Sequence, residues 1–364
     1  MAQSRASGQK RETVPKPKLS RFGDGTDLSS RKAGSVEIPR GSKQRTNMAR
    51  VAAIDCGTNS IRLLVADVTT RDDGTVWLRD VHRDMRVVRL GQGVDATGRL
   101  APEALARTRA ALVDYVAVAV RKGVERARMV ATSATRDAAN RDEFFAMTTE
   151  VLGAPAEMIT GDEEARLSFA GAVSELDPAD GPFLVADIGG GSTELVLGTW
   201  DGRKVDVLAA RSVDIGCVRL TERCLPGDPP SRTEIDAATR LAQEILADAF
   251  AAVPVARART FIGVAGTVTT LSAVHMGLPE YDSERLHLSR MDLAAIRTTT
   301  ANLLAMTREQ RAALGPMHPG RVDVIGGGAI IVRTIAEELA ARVGVTELVA
   351  SEHDILDGIA LALA

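Results

Sequence analysis

The sequence predicts an α/β protein whose two similar halves close on one phosphate-bearing ligand, and three observations predict it. First, Asp55-Cys-Gly-Thr-Asn-Ser60 is echoed by Asp187-Ile-Gly-Gly-Gly-Ser192, so that Asp55 and Asp187, Gly57 and Gly189, Ser60 and Ser192, and Leu63 and Leu195 coincide. Second, each copy lies between short apolar runs, 51–54 and 61–66 around the first, 183–186 and 195–197 around the second. That is the pattern of two strands joined by a tight loop. Third, strand-like and helix-like segments alternate from Arg50 onward, with two more glycine-bearing segments after apolar runs at 261–266 and 324–328.

Taken in chain order, 51–68 reads as a hairpin and 76–90 adds strands. Residues 102–122 have helical spacing, with Pro102 in the first turn and Gly123 at the end. Residues 129–132 read as a buried strand and 136–151 as a helix. After the second loop, 205–207 and 211–213 complete a meander, 228–231 is a loop and 234–250 a helix. Residues 261–266 read as a strand ending in a glycine turn that opens a helix at Thr267. The segment 324–328 repeats that grammar ahead of a helix at 329–343, and 348–350 leads into a last helix from about Asp354. The expected organisation is a basic, disordered extension over 1–47, one half over 48–170 and a second over 171–350. The final helix, 351–364, is expected to pack back on the first half.

Composition narrows the function. Aromatics make up 3% of 364 residues, too few for the stacking platforms of single-strand nucleic-acid binders, and no specific nucleic-acid partner is expected. The net charge of −3 gives no general pull toward polyanions, so phosphate affinity must be local. No uncharged apolar run approaches the about 18–20 residues that a membrane span needs, so no membrane partner is expected. Three cysteines without paired metal spacing fit reduced thiols and a cytoplasmic location. The first 47 residues carry eleven lysines and arginines against four acids, so the tail is basic and the remainder acidic. It lacks the apolar stretch of a secretory signal.

The motifs carry the chemistry. Loop glycines bring backbone N–H groups close to a ligand, and successive N–H groups form an anion nest. Gly57, Thr58, Asn59 and Ser60 in the first loop, and Gly189, Gly190, Gly191, Ser192 and Thr193 in the second, are therefore candidate phosphate binders. An acid at a strand end suits a hydrated Mg²⁺ that neutralises phosphate. Asp55, Asp187 and Glu194 are the candidate metal ligands, for Mg²⁺ or Mn²⁺.

In this order, the four glycine segments resemble the phosphate 1, phosphate 2, adenosine and connect motifs of the actin-like ATPase superfamily. Three further phrases narrow the resemblance: Ala131-Thr-Ser-Ala-Thr-Arg136, Gly161-Asp-Glu-Glu164-Ala-Arg-Leu167 and Asp187-Ile-Gly-Gly-Gly-Ser-Thr-Glu194. With Val88-Arg-Leu-Gly-Gln-Gly93, they are similar to the signatures of the exopolyphosphatase/guanosine pentaphosphatase (Ppx/GppA) family, from about residue 50 to the end. The resemblance implies two ribonuclease-H-like, actin-like domains around a cleft. It also implies removal of terminal phosphate from inorganic polyphosphate, a homodimer, and Glu164 as the base that activates water, with Arg136 on phosphate. Guanosine pentaphosphate is the alternative substrate, with its tetraphosphate product as a further ligand. A small-molecule kinase and a non-catalytic polyphosphate or alarmone sensor are the rivals from other classes. Arg62 stands where some members have histidine, which leaves the first loop's phosphate contacts open. Longer members add a C-terminal helical domain, so the compact length suggests short polymers.

Each residue also has a plainer reading. Glu164 falls where acids favour a helix N-terminus. Arg136 has Asp137 and Asp142 as alternative ion-pair partners, Glu194 reads equally as a solvent-facing strand residue, and Arg321 as a phosphate binder or a surface cation.

Overall fold

The computed structural model describes residues 35–37, 48–71 and 75–363, and residues 34–364 form one compact unit. Two six-stranded sheets share a four-strand path, a meander whose first strand has a parallel neighbour. In the first, β2 (Met48–Cys56), β3 (Ser60–Thr70) and β4 (Val76–Val87) form an antiparallel meander after a short β1 (Ser35–Glu37). β5 (Arg126–Ala131) then runs parallel to β2, with β1 and β6 (Glu157–Met158) on its far side. In the second, β7 (Phe183–Ile188), β8 (Thr193–Trp200) and β9 (Val205–Val213) repeat the meander. β10 (Thr260–Val264) lies parallel to β7, followed by the short antiparallel β11 (Arg290–Asp292) and by β12 (Glu347–Ala350), parallel to β10. β2 and β7 are each the strand to which meander and parallel half are joined.

Helices cover both faces of each sheet, which is why β2 and β7 are near-continuous apolar runs and not alternating ones. On the first sheet, Ala52 and Ile54 pack toward Leu112 and Tyr115 of the helix Pro102–Lys122, while Val51 and Ala53 pack toward Ile355 and Ile359 of the helix Ile355–Leu361. On the second sheet, Val185 and Val196 face Phe169 of the helix Gly161–Val173, and Leu184 and Leu195 face the helices Arg232–Ala252 and Ile325–Val343. The helices Gly161–Val173 and Ile355–Leu361 cross between the sheets. A Cβ on Gly171 would lie 1.9 Å from the Asp354 carbonyl oxygen, and one on Gly358 1.9 Å from that of Leu167. Only glycine permits that approach. It sets the N-termini of both helices at the edge of the cleft.

The hairpin, the helix Pro102–Lys122 and the closing helix from Asp354 stand where the sequence puts them. Three expectations need correction. The helix expected over 136–151 is two, Ser133–Asp137 and Arg141–Leu152. Asn140 interrupts it by pairing its amide with both backbone groups of Leu100, at 2.8 and 3.1 Å. The glycines 326–328 do not form a turn after a strand. The helix runs through them from Ile325, and they are small because Thr221 and Thr267 pack there: a Cβ on Gly327 would lie 2.5 Å from Thr221, and one on Gly328 2.5 Å from Thr267. Finally, Ser35–Glu37, inside the extension expected to be disordered, pairs with β5 as a strand. The rest of that extension lies outside the described residues. Among the described residues, no helix is long and apolar enough to cross a membrane.

Candidate active site

The two repeated loops are built alike. Gly57 N–H donates to Ser60 O at 3.0 Å, and Gly189 N–H donates to Ser192 O at 3.1 Å. Both glycines thus commit their own N–H to closing the loop. In register, Asp55 faces Arg62 across its hairpin, and Asp187 faces Glu194 across the equivalent one. The same structural position therefore carries a cation in one half and an acid in the other. The loops touch: a Cβ on Gly190 would meet the Thr58 side chain at 2.9 Å, and one on Gly191 would meet Ser133 Oγ and Thr58 Oγ1 at 2.7 Å.

A cleft between them is lined by Asp55, Gly57, Thr58, Asn59, Ser60, Glu164, Asp187, Gly189, Gly190 and Ser192, joined by Arg62, Thr132, Ser133, Thr267 and Arg321. Four expected site residues do not line it. Gly191 fills the contact between the loops. Thr193 is buried and donates its hydroxyl to Ile215 O at 2.6 Å, a fold-holding bond. Glu194 is buried behind Ser212, whose hydroxyl donates to its Oε1 at 2.7 Å, so it is not the solvent-facing strand residue of the plainer reading. Arg136 donates to Glu164 Oε2 at 2.8 Å and to Ile159 O at 3.1 Å. Its guanidinium grips the candidate base, not Asp137 or Asp142.

Glu164 lies in the first turn of the helix Gly161–Val173, capped by Thr160, whose hydroxyl accepts from Glu163 N. Burial pushes the Glu164 carboxyl up to about 7, with Arg136 pulling it down and Asp187 and Asp55 adding to the rise. One turn on, Ser168 Oγ donates to Asp187 Oδ2 at 2.6 Å. Burial lifts Asp187 to about 6, helped by Asp354 and opposed by Ser168 and Arg62. Glu194 is raised by burial and by the charges of Glu164 and Asp187. Asp55 is raised by burial against the pull of Arg62. A cluster of buried carboxylates raised in this way is a set of oxygens that could hold a cation.

Sequence reasoning noted Arg62 but gave it no role, and it missed Ser168 and Asp354. Arg62 Nε and Nη2 both donate to Asp55 Oδ2, at 3.0 and 2.7 Å, while Nη1 pairs with Asp354 Oδ2. Ser168 was findable, since it stands four residues after Glu164 on one helix face. Asp354 marks only the start of the last helix in the sequence. Elsewhere Glu175, His287 and His353 bring ligand-type atoms within 4.8 Å of one another. Glu352 N–H donates to His287 Nδ1 at 3.2 Å, however, which leaves the ring proton on Nε2 facing Glu175. Glu175 and His287 are thus a hydrogen-bonded pair, with the His353 ring stacked on that of His287.

Two sheets that share a meander and its parallel neighbour strand, each offering an acid-and-glycine loop to a shared cleft with a buried glutamate, define an actin-like α/β fold with a phosphate-handling cleft. The chain belongs to the Ppx/GppA phosphatase family, whose model matches residues 67–363. It is 59% identical over 325 residues to exopolyphosphatase 2 of Mycobacterium tuberculosis, covering 87% of this chain and 99% of that one. Among solved structures, it is similar to an exopolyphosphatase-like protein at 44% identity and TM-score 0.81, covering 88% and 98% of the two chains. It is also similar to the Aquifex aeolicus PPX-GPPA enzyme at 30% identity and TM-score 0.70, covering 86% and 99%.

Proposed function

We propose that this chain is an exopolyphosphatase that hydrolyses the terminal phosphoanhydride of inorganic polyphosphate. The observation that carries the reading is a buried carboxyl, Glu164, held near neutral pKa in the wall of a cleft formed by two phosphate-type loops. Family membership and the likeness to proteins called exopolyphosphatase support it. In this reading residues 48–170 and 171–350 form the two halves, with 351–364 returning to the first.

The terminal phosphoryl is held by donors of Thr58, Asn59, Ser60, Gly190 and Ser192, excluding bulk water where the loops meet. Glu164 Oε2 is occupied by Arg136, so Oε1 accepts the proton of the attacking water. The water oxygen bonds to the terminal phosphorus as the bridging P–O bond breaks, and orthophosphate and a chain one unit shorter leave. The donor set fits a hard divalent cation. It is all oxygen, and Asp55 Oδ1 is buried without a hydrogen-bond partner. Asp55 and Asp187, with Glu194 behind them, would hold Mg²⁺ or Mn²⁺, which supplies charge neutralisation at the phosphoryl oxygens.

A cavity of about 570 Å³ adjoins the cleft at Arg62, Gly266 and Arg321 and continues past Arg83, Tyr281 and Met317. It offers room for what remains attached beyond the reacting phosphate, which favours a second reading, guanosine pentaphosphate hydrolysed to the tetraphosphate. Incubation of the purified protein with Mg²⁺ and, separately, short polyphosphate or guanosine pentaphosphate, with released phosphate measured, tests both. Faster release from polyphosphate supports the first reading, and faster release from the nucleotide the second. No release from either removes both.

A further inference from the structure

We propose that Asp354 is a positioning residue that acts through Arg62 on Asp55. The proposal rests on the reading of Asp55 as a cation ligand. It starts from an asymmetry in one ion pair. A guanidinium facing a carboxylate ordinarily forks across both oxygens. Here Arg62 Nε and Nη2 both donate to Oδ2 of Asp55, and Oδ1 is left buried with no partner. Asp354 accounts for the asymmetry, because its Oδ2 holds Arg62 Nη1 from the other side.

Asp354 is itself fixed. It is buried, its Oδ1 accepts from Leu356 N at 3.0 Å, and its own N–H donates to Asp357 Oδ2 at 2.9 Å. Asp357 Oδ1 in turn accepts from Arg83 Nη2 of β4 at 2.6 Å. The helix start is thus pinned to the first sheet, and the Gly171–Gly358 crossing sets its distance from the helix that carries Glu164. With Asp354 removed, Arg62 is free to fork onto both oxygens of Asp55 and occupy Oδ1. The device keeps one oxygen of Asp55 without a hydrogen-bond partner beside the cleft.

Two substitutions separate this role from simple capping. Asp354→Asn keeps a side-chain oxygen for the Leu356 N–H and loses the charge that holds Arg62. Asp354→Ser keeps a cap and is too short to reach Arg62. Asp357→Asn is the control, because it disturbs the same helix start without touching Arg62. Metal-stripped full-length protein is titrated with Mn²⁺ alone, and free Mn²⁺ is followed by electron paramagnetic resonance beside a thermal melt of each variant. Loss of a residue that orients a ligand weakens metal affinity by about 10- to 100-fold. That loss is expected in both Asp354 variants, with Asp357→Asn near the unsubstituted protein. In phosphate release, the Asp354 variants lose kcat more than they raise KM. Asp354 variants that bind Mn²⁺ as tightly as the unsubstituted chain overturn the proposal, as does an equal loss in Asp357→Asn. Absence of Mn²⁺ binding in the unsubstituted protein is a different result: it removes the cation reading and this inference with it.

Discussion

Arg136 Nη1 lies 2.8 Å from Oε2 of Glu164, so the arginine expected on phosphate is bonded to the expected base. The pair sets both the orientation of Glu164 and its protonation. Arg136 lowers the Glu164 pKa that burial raises. Arg136→Gln therefore moves the acidic limb of the pH–rate profile upward. Below that limb each unit of movement costs about tenfold in rate. A profile in Arg136→Gln that overlays the unsubstituted one would show that the pair does not tune the base.

Stability follows the same carboxylates. Glu164 rises from 4.5 to about 7 and Asp187 from 3.8 to about 6, and both are raised relative to the unfolded chain. Their contribution is therefore fully present below about pH 4 and lost as pH climbs through about 6 to about 7. Arg136 and Arg62 oppose the rise, while Asp55, Asp354 and Glu194 share the charge cluster. Metal-free protein is expected to melt at lower temperature at about pH 8 than at about pH 5. Added Mg²⁺ restores the high-pH value, and Glu164→Gln flattens the slope. A metal-free melting temperature that climbs over this range would contradict the sign.

Ser168 offers a test of the buried hydrogen bond to Asp187. The hydroxyl donates at 2.6 Å to a buried carboxylate. Ser168→Ala is expected to cost about 1.5–3 kcal/mol in urea unfolding. It also raises the Asp187 pKa further, because Ser168 lowers it in the folded chain. An unchanged unfolding midpoint would mean that water replaces the hydroxyl.

The meeting of the two loops is tested at Gly191. A Cβ there lies 2.7 Å from both Ser133 Oγ and Thr58 Oγ1, so Gly191→Ala pushes the loops apart. A displacement near 1 Å in a phosphoryl-positioning loop costs on the order of 100-fold in kcat/KM. Far-ultraviolet circular dichroism should stay unchanged while kcat/KM falls. Full activity in Gly191→Ala would show that the two loops need not close this tightly.

Much of the framework was legible because it is local. The paired Asp-Gly-Ser loops announced two hairpins, and both form with the acids in equivalent register. Pro102 and Gly123 bracket their helix because one tolerates a missing N–H and the other adopts φ +71° at the cap. What escaped was set by distant partners. Gly326–Gly328 look like a turn in sequence, and only Thr221 and Thr267, far along the chain, make them a packed helix face. Arg136 looked free for phosphate until folding brought Glu164, 28 residues away, against it. Asp354 marked only the start of the last helix, and its Oδ2 meets Arg62 from 292 residues away.

In the proposed reaction Glu164 draws the proton from water as terminal phosphate leaves polyphosphate. Phosphate release from a short polyphosphate chain, with Mg²⁺, across about pH 5 to about pH 9 for the unsubstituted protein and for Glu164→Gln tests it most directly. Release is expected in the unsubstituted protein with an acidic limb at about 7, the value to which burial raises Glu164. Glu164→Gln is expected to lose about 100- to 10,000-fold with substrate binding retained. Release by Glu164→Gln within a few-fold of the unsubstituted rate, on the same pH profile, would contradict it.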